Sequence, residues 1–116
     1  MLESILNTIK KMLGISIQDT NFDVDIIVAI NSAFMALNQI GIGGETVFEI
    51  VDQTKEWNDF LAGDMAKYSS VKSFIYLKTK LLFDPPTVGY HLTSIENQIT
   101  ELSWRLSVQV PIPPEV

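Results

Sequence analysis

Leu2, Ile5, Leu6, Ile9, Met12 and Leu13 recur at steps of three and four, the spacing of one apolar stripe on an α-helix. Gly14 follows as a left-handed stop, and Lys10 and Lys11 fall in the last turn, where cations complement the helix dipole. After a short connection over 15–21, a second helix is expected with Asn21 or Asp23 as its cap and Asp23 and Asp25 in its first turn. Phe22, Ile26, Ala29, Ala33, Leu37 and Ile40 make one face of it. Ile27, Val28, Ile30, Phe34 and Met35 make its other faces apolar as well. A helix apolar nearly all round must be enclosed. In a chain of 116 residues that requires several neighbouring helices or a second subunit.

Gly41, Gly43 and Gly44 end this helix in a loop. The β-branched and aromatic run Thr46-Val47-Phe48-Glu49-Ile50-Val51 then predicts a short strand or hairpin arm. Lys55 to Ala62 reads as irregular or as a single helical turn. From Ser69 or Ser70, Val71, Phe74, Ile75, Leu77, Leu81 and Leu82 predict a third helix with Lys72, Lys78 and Lys80 on its exposed side. Asp84-Pro85-Pro86 stops it, since a residue before proline is driven out of the α region. Val88, Leu92, Ile95, Ile99, Leu102 and Leu106 then alternate steps of four and three, the rhythm of helices packed along one another; this last helix is placed from near Thr87. Beyond Leu106, the run from Ser107 and the prolines at 111, 113 and 114 predict an extended, polyproline-like segment. The expected fold is mainly α. It is a four-helix bundle-like subunit with a short hairpin or extended loop between helices 2 and 3, a helical domain over 1–107 and an extended C-terminal arm over 108–116.

Composition changes this picture in two ways. Charged residues make up 19% and hydrophobic ones 47%, less charge than the usual quarter of a soluble domain, so apolar surface is left over for a partner. The charge is also unevenly placed: residues 14–66 hold nine acids against Lys55 alone, a net of −8, whereas residues 67–83 hold four lysines and no acid. Such a balance does not grip nucleic acid, whose binding is driven by cations that displace counterions, although an acidic wall can face DNA without holding it. With no cysteine, disulfides and thiolate sites are excluded and an intracellular origin is the expectation. The uncharged run 26–44 is interrupted by Asn31, Ser32, Asn38 and Gln39 and falls short of a membrane span.

Candidate chemistry is sparse. His91 stands alone, without companions for metal binding or general-base work. Gly41-Ile42-Gly43-Gly44 follows a helix and lacks the lysine of a phosphate loop. Asp19, Asn21, Asp23 and Asp25 alternate like the start of a calcium loop, but Val24 and Ile30 occupy the positions that need glycine and glutamate. The pairs Glu45 with Glu49 and Asp59 with Asp64 read best as solvated or subunit-facing carboxylates. No enzymatic activity, metal or cofactor is expected. Trp57 and Trp104 are the residues suited to anchor an interface, or to serve as core.

In order along the chain come the acid-flanked second helix, the glycine loop with its short strand, Trp57-Asn58-Asp59-Phe60-Leu61, a lysine-bearing helix closing at Leu82-Phe83-Asp84-Pro85-Pro86-Thr87, and Glu101-Leu102-Ser103-Trp104-Arg105-Leu106. This succession resembles the head-tail connector, or head completion and adaptor, family of long-tailed bacteriophages. The resemblance implies a virion protein made in the host cytoplasm and assembled as a ring of twelve copies beneath the portal protein, above a stopper or tail-completion protein, with DNA passing through without sequence-specific binding. It also implies that the C-terminal segment (Val108, Val110, Pro111, Ile112, Pro113, Pro114) reaches the portal. The loop carrying Ile42, Gly43, Gly44, Glu45, Val47, Phe48 and Glu49 would face the channel or the next ring, and Trp57 and Trp104 would serve subunit or portal contacts. The competing reading is a small helical regulator that dimerises through its last helix and binds a host protein.

Overall fold

The computed structural model describes residues 4–42, 47–60, 65–85 and 87–109. Helix α1 spans Ile5–Met12, and the Ser4 hydroxyl caps it by accepting the Asn7 N–H at 3.2 Å, which satisfies one of the otherwise orphaned donors of the first turn. Its end is a full Schellman motif. Gly14 takes φ +81°, its N–H donates to the Lys11 carbonyl at 3.0 Å, and the Ile15 N–H reaches back to the Lys10 carbonyl at 2.8 Å.

The same motif ends α2 (Asp23–Gln39). Gly41 sits at φ +93° and donates to the Asn38 carbonyl at 3.0 Å, while the Ile42 N–H donates to the Leu37 carbonyl at 3.0 Å. At its start α2 differs from expectation. The residue at the cap position is Phe22, which makes no side-chain capping bond. Asn21 is held instead in a turn by the Asp19 carboxylate, at 3.1 Å, and Asp23 lies inside the helix. Lys10 instead ties the segment entering α2 to α1. Rather than lying on the surface over the dipole of α1, it is buried; its Nζ donates to the carbonyls of Ile17 (3.0 Å) and Asp19 (2.7 Å) and stands 2.8 Å from Asp23 Oδ1. That carboxylate oxygen is buried without a well-aligned hydrogen bond among the described residues, so its contact with Lys10 is one of charge.

α3 is the single turn Trp57–Phe60, closed at its start by the Asp59 carboxylate accepting the Glu56 N–H at 2.7 Å. α4 spans Met65–Phe83, beginning ahead of Ser69, and stops where Pro85 requires it to. α5 spans Gly89–Gln109. Val88 therefore precedes the helix and is exposed, and helix continues through Ser107 to Gln109, past the expected break. Pro111 disfavours the α region only for the residue immediately before it, so its chemistry does not oppose helix as far as Gln109.

α4 lies between α2 and α5, packing on both, and α1 packs on α2 and α4. Ile5, Ile9, Ile30, Phe34, Phe74 and Ile75 sit at the centre of the core. The apolar stripe of α5 is used inside the subunit: Ile95, Ile99 and Leu106 are buried, and Leu102 packs on the same core. Among the described residues no sheet forms, and β-type pairing is confined to an isolated antiparallel bridge between Ser4 and Glu56. Residues 47–50 are irregular.

Candidate subunit interface

The irregular segment after α2 is fixed by an amide pairing that imitates a strand. Asn31 Nδ2 donates to the Ile50 carbonyl at 2.9 Å, and the Ile50 N–H donates to Asn31 Oδ1 at 2.8 Å. One side chain thereby satisfies both backbone polar groups of a residue whose own side chain is buried. Phe48 is half-buried in an aromatic cluster, its ring 5.0 Å from Phe34 and 5.2 Å from Phe60, with Phe34 and Phe60 4.7 Å apart; these tilted and edge-on arrangements suit the ring quadrupoles.

These contacts hold two residues of the expected channel-facing loop, Ile42 and Phe48, against the subunit's own core. Ile42 is buried, because a Schellman motif brings its own residue against the last turn of the helix, here at Leu37. Phe48 belongs to the aromatic cluster. Val47 and Glu49 are exposed, whereas Gly43, Gly44 and Glu45 lie outside the described residues.

The two tryptophans divide. Trp57 is 3% exposed; its Nε1–H donates to Thr8 Oγ1 at 3.1 Å, and that hydroxyl donates to the Ser4 carbonyl at 2.7 Å. Lys72 Nζ stands 5.5 Å over the same ring, within cation–π range. Trp57 is thus packed in the core, tying α1, α3 and α4 together, the second of the two roles expected for it. Trp104 is 64% exposed on α5, beside the Glu101–Arg105 pair at 2.6 Å. Of the C-terminal candidates, Val108 lies within α5, while Val110, Pro111, Ile112, Pro113 and Pro114 lie outside the described residues.

A second apolar surface escaped the sequence reading. α2 buries Ile26, Ile30, Ala33, Phe34 and Leu37 but leaves Val24, Val28 and Met35 exposed on the opposite side. At the α4 end of this face Leu82 is also exposed, and Phe22 meets Phe83 edge to face at 5.6 Å. A groove of about 560 Å³ runs there between α2 and the end of α4, lined by Phe22, Asp25, Val28, Ser32, Leu82 and Phe83 among others. The signal for it was present as the all-round apolar character of α2.

Among the described residues no three His, Cys, Asp or Glu side chains converge on a metal position, and no helix is long and apolar enough to cross a membrane. His91 is exposed, its ring 4.3 Å from Tyr90. The Asp52 carboxyl is held below its ordinary range because the hydroxyl and then the amide of Thr54 both donate to it, at 2.5 and 2.9 Å. That is a local turn.

The family described as phage connector protein matches residues 5–111. No curated protein and no solved structure matches the chain.

Proposed function

The chain belongs to the phage connector protein family, structural components of the virion that join its head and tail parts, and from that membership we propose that it forms a ring beneath the portal protein. The ring has twelve copies, with a stopper or tail-completion protein below it and DNA threading its centre. The observation that carries this reading is the uncovered apolar surface on the outer side of α2 and at the end of α4, with Trp104 exposed elsewhere. A monomer has no use for such area, and patches of this kind mark contact with other proteins.

The stripe of the last helix, which the competing dimeric regulator would need, is already occupied by α4. The acidic balance of the chain also supports the reading, because a wall rich in carboxylates offers a passing phosphate backbone no cationic holding points. Glu49, exposed beside the pinned Ile50, is suited to such a wall. The proline-rich segment from 110 onward supplies the portal contact in this reading.

The experiment is complementation of a phage whose copy of this gene carries a nonsense mutation. The intact chain is expected to restore joining of filled heads to tails. Deletion of 111–116 is expected to leave helicity and melting temperature unchanged while reducing joining at least tenfold. Joining at the normal level by the truncated chain refutes the portal contact, and filled heads that acquire tails without the chain refute the connector role itself.

A further inference from the structure

Residues 15–22 connect α1 to α2 without regular structure, so their carbonyls need partners from outside a helix or sheet ladder. Two of them, those of Ile17 and Asp19, converge on the Lys10 ammonium at 3.0 and 2.7 Å, and the Asp23 carboxylate approaches the same nitrogen to 2.8 Å. Among the described residues Lys10 is the one buried charged side chain, 1% exposed. Its backbone takes part as well, the carbonyl accepting the Ile15 N–H at 2.8 Å. Short turns lead from one oxygen to the next. Asp19 donates its N–H to the Ser16 carbonyl and accepts the Asn21 N–H with its carboxylate, and the Asp23 N–H donates to the Thr20 carbonyl.

A cation beside the first turn of α2 opposes the helix dipole, and an ammonium taken out of water is costly unless protein oxygens replace its hydration. Two carbonyls and a carboxylate match the three donors of an ammonium in number. They stand 2.7–3.0 Å from the nitrogen, farther than the roughly 2.0–2.6 Å at which oxygens hold magnesium or calcium. The spacing suits an ammonium rather than a small divalent ion.

We infer that residues 17–23 form a cation site built for a primary ammonium, with the Lys10 head as its tethered ligand, and that this ligand sets the turn that delivers Phe22 to Phe83. Phe22 falls between Asp19 and Asp23 in sequence, is 45% exposed, and meets the Phe83 ring edge to face at 5.6 Å. With so much of the ring in water, packing alone holds it weakly. Its place follows from the ordering of the loop around the cation, and the wall it gives to the groove between α2 and α4 follows in turn.

The test is chemical rescue of the full chain. Lys10→Ala removes the ammonium together with its stem, and n-butylammonium chloride restores both in untethered form. At about 0.1 M it is expected to raise the folding equilibrium constant of Lys10→Ala about fivefold, the mass-action result for a Kd near 25 mM, and that of the wild type less than twofold. The Phe22–Phe83 contact, read as a nuclear Overhauser effect, is expected to weaken in the variant and return with the amine. Equal rescue by n-butanol makes stem volume the cause, equal rescue by potassium chloride makes ionic strength the cause, and either overturns the proposal. Lys10→Met keeps the stem and removes the charge; it is expected to lose the Phe22–Phe83 contact, and a variant that retains it also overturns the proposal. The wild type supplies a measurement that no failure to fold can obscure. Its Lys10 ammonium protons are expected to give a resolved NMR signal coupled across hydrogen bonds to the Ile17 and Asp19 carbonyl carbons, and an ammonium averaged with water refutes the site.

Discussion

Asn31→Ala removes a carboxamide that both donates to the Ile50 carbonyl at 2.9 Å and accepts the Ile50 N–H at 2.8 Å. Each lost bond costs about 0.5–1.5 kcal/mol net, and a buried polar group left without a partner costs about 1–3 kcal/mol. Asn31 is half-buried, so water recovers part of this and the combined loss is placed at about 2–3 kcal/mol. Urea unfolding followed by circular dichroism reads it directly. At a slope of about 1.5 kcal/mol/M the midpoint falls by about 1.5–2 M with the slope unchanged. Hydrogen exchange at the Ile50 amide is expected to accelerate beyond the global change, since the amide loses its acceptor. Asn31→Asp provides a second arm. It keeps an acceptor for the Ile50 N–H but sets a carboxylate against the Ile50 carbonyl, so it is expected to be at least as destabilising at neutral pH and to recover in part when acid restores an O–H donor. A loss below about 0.5 kcal/mol for Asn31→Ala, or no change in Ile50 exchange, refutes the claim that this amide holds the segment after α2.

Thr79 is fully buried and its hydroxyl has no hydrogen-bond partner among the described residues, so Thr79→Val, which keeps the shape and removes the polar atom, is expected to stabilise by about 1 kcal/mol and raise the melting temperature by about 4 °C; a loss of stability would mean that the hydroxyl is satisfied. Lys10→Met leaves the Asp23 carboxylate and two carbonyls beside a buried apolar stem and is expected to cost about 3–5 kcal/mol in the same urea assay, against at most about 1 kcal/mol if the pair behaves as a surface salt bridge. Asp52, lowered by the two donors of Thr54, adds stability that is fully present above the unfolded carboxylate range and disappears as pH falls through its depressed folded value. An NMR titration is expected to show its midpoint below that of an unfolded-state Asp and to raise it part of the way back in Thr54→Val, which removes the hydroxyl and keeps the amide donor.

Much of the helical architecture is written locally. The glycines that end α1 and α2 could be placed because only a left-handed residue completes those motifs, and the stripe through Leu92, Ile95, Ile99, Leu102 and Leu106 marked the face of α5 that meets α4. What was not legible depends on partners distant in sequence. Lys10 sits on the last turn of a helix, where a solvated cation is the ordinary expectation. It is buried because two carbonyls and Asp23, at least seven residues further on, converge on it. Trp57 takes the core rather than a surface because Thr8, forty-nine residues earlier, accepts its indole proton. Phe48 belongs to a cluster with Phe34 and Phe60 that no local pattern announces.

The outer face of α2 is where sequence and structure diverge in a way that carries function. Apolar residues all round a helix imply enclosure, yet the subunit covers only the side of Ile26, Ile30, Phe34 and Leu37. Val28 at 61% and Leu82 at 60% exposure border a groove instead of filling a core. The inference from pattern to burial holds for the functional unit, and for a connector subunit that unit is larger than one chain. In the proposed ring, the residues that a single-chain reading assigns to the interior are the ones a neighbouring copy would cover, and the mismatch between apolar pattern and burial in the subunit marks where to test for that contact.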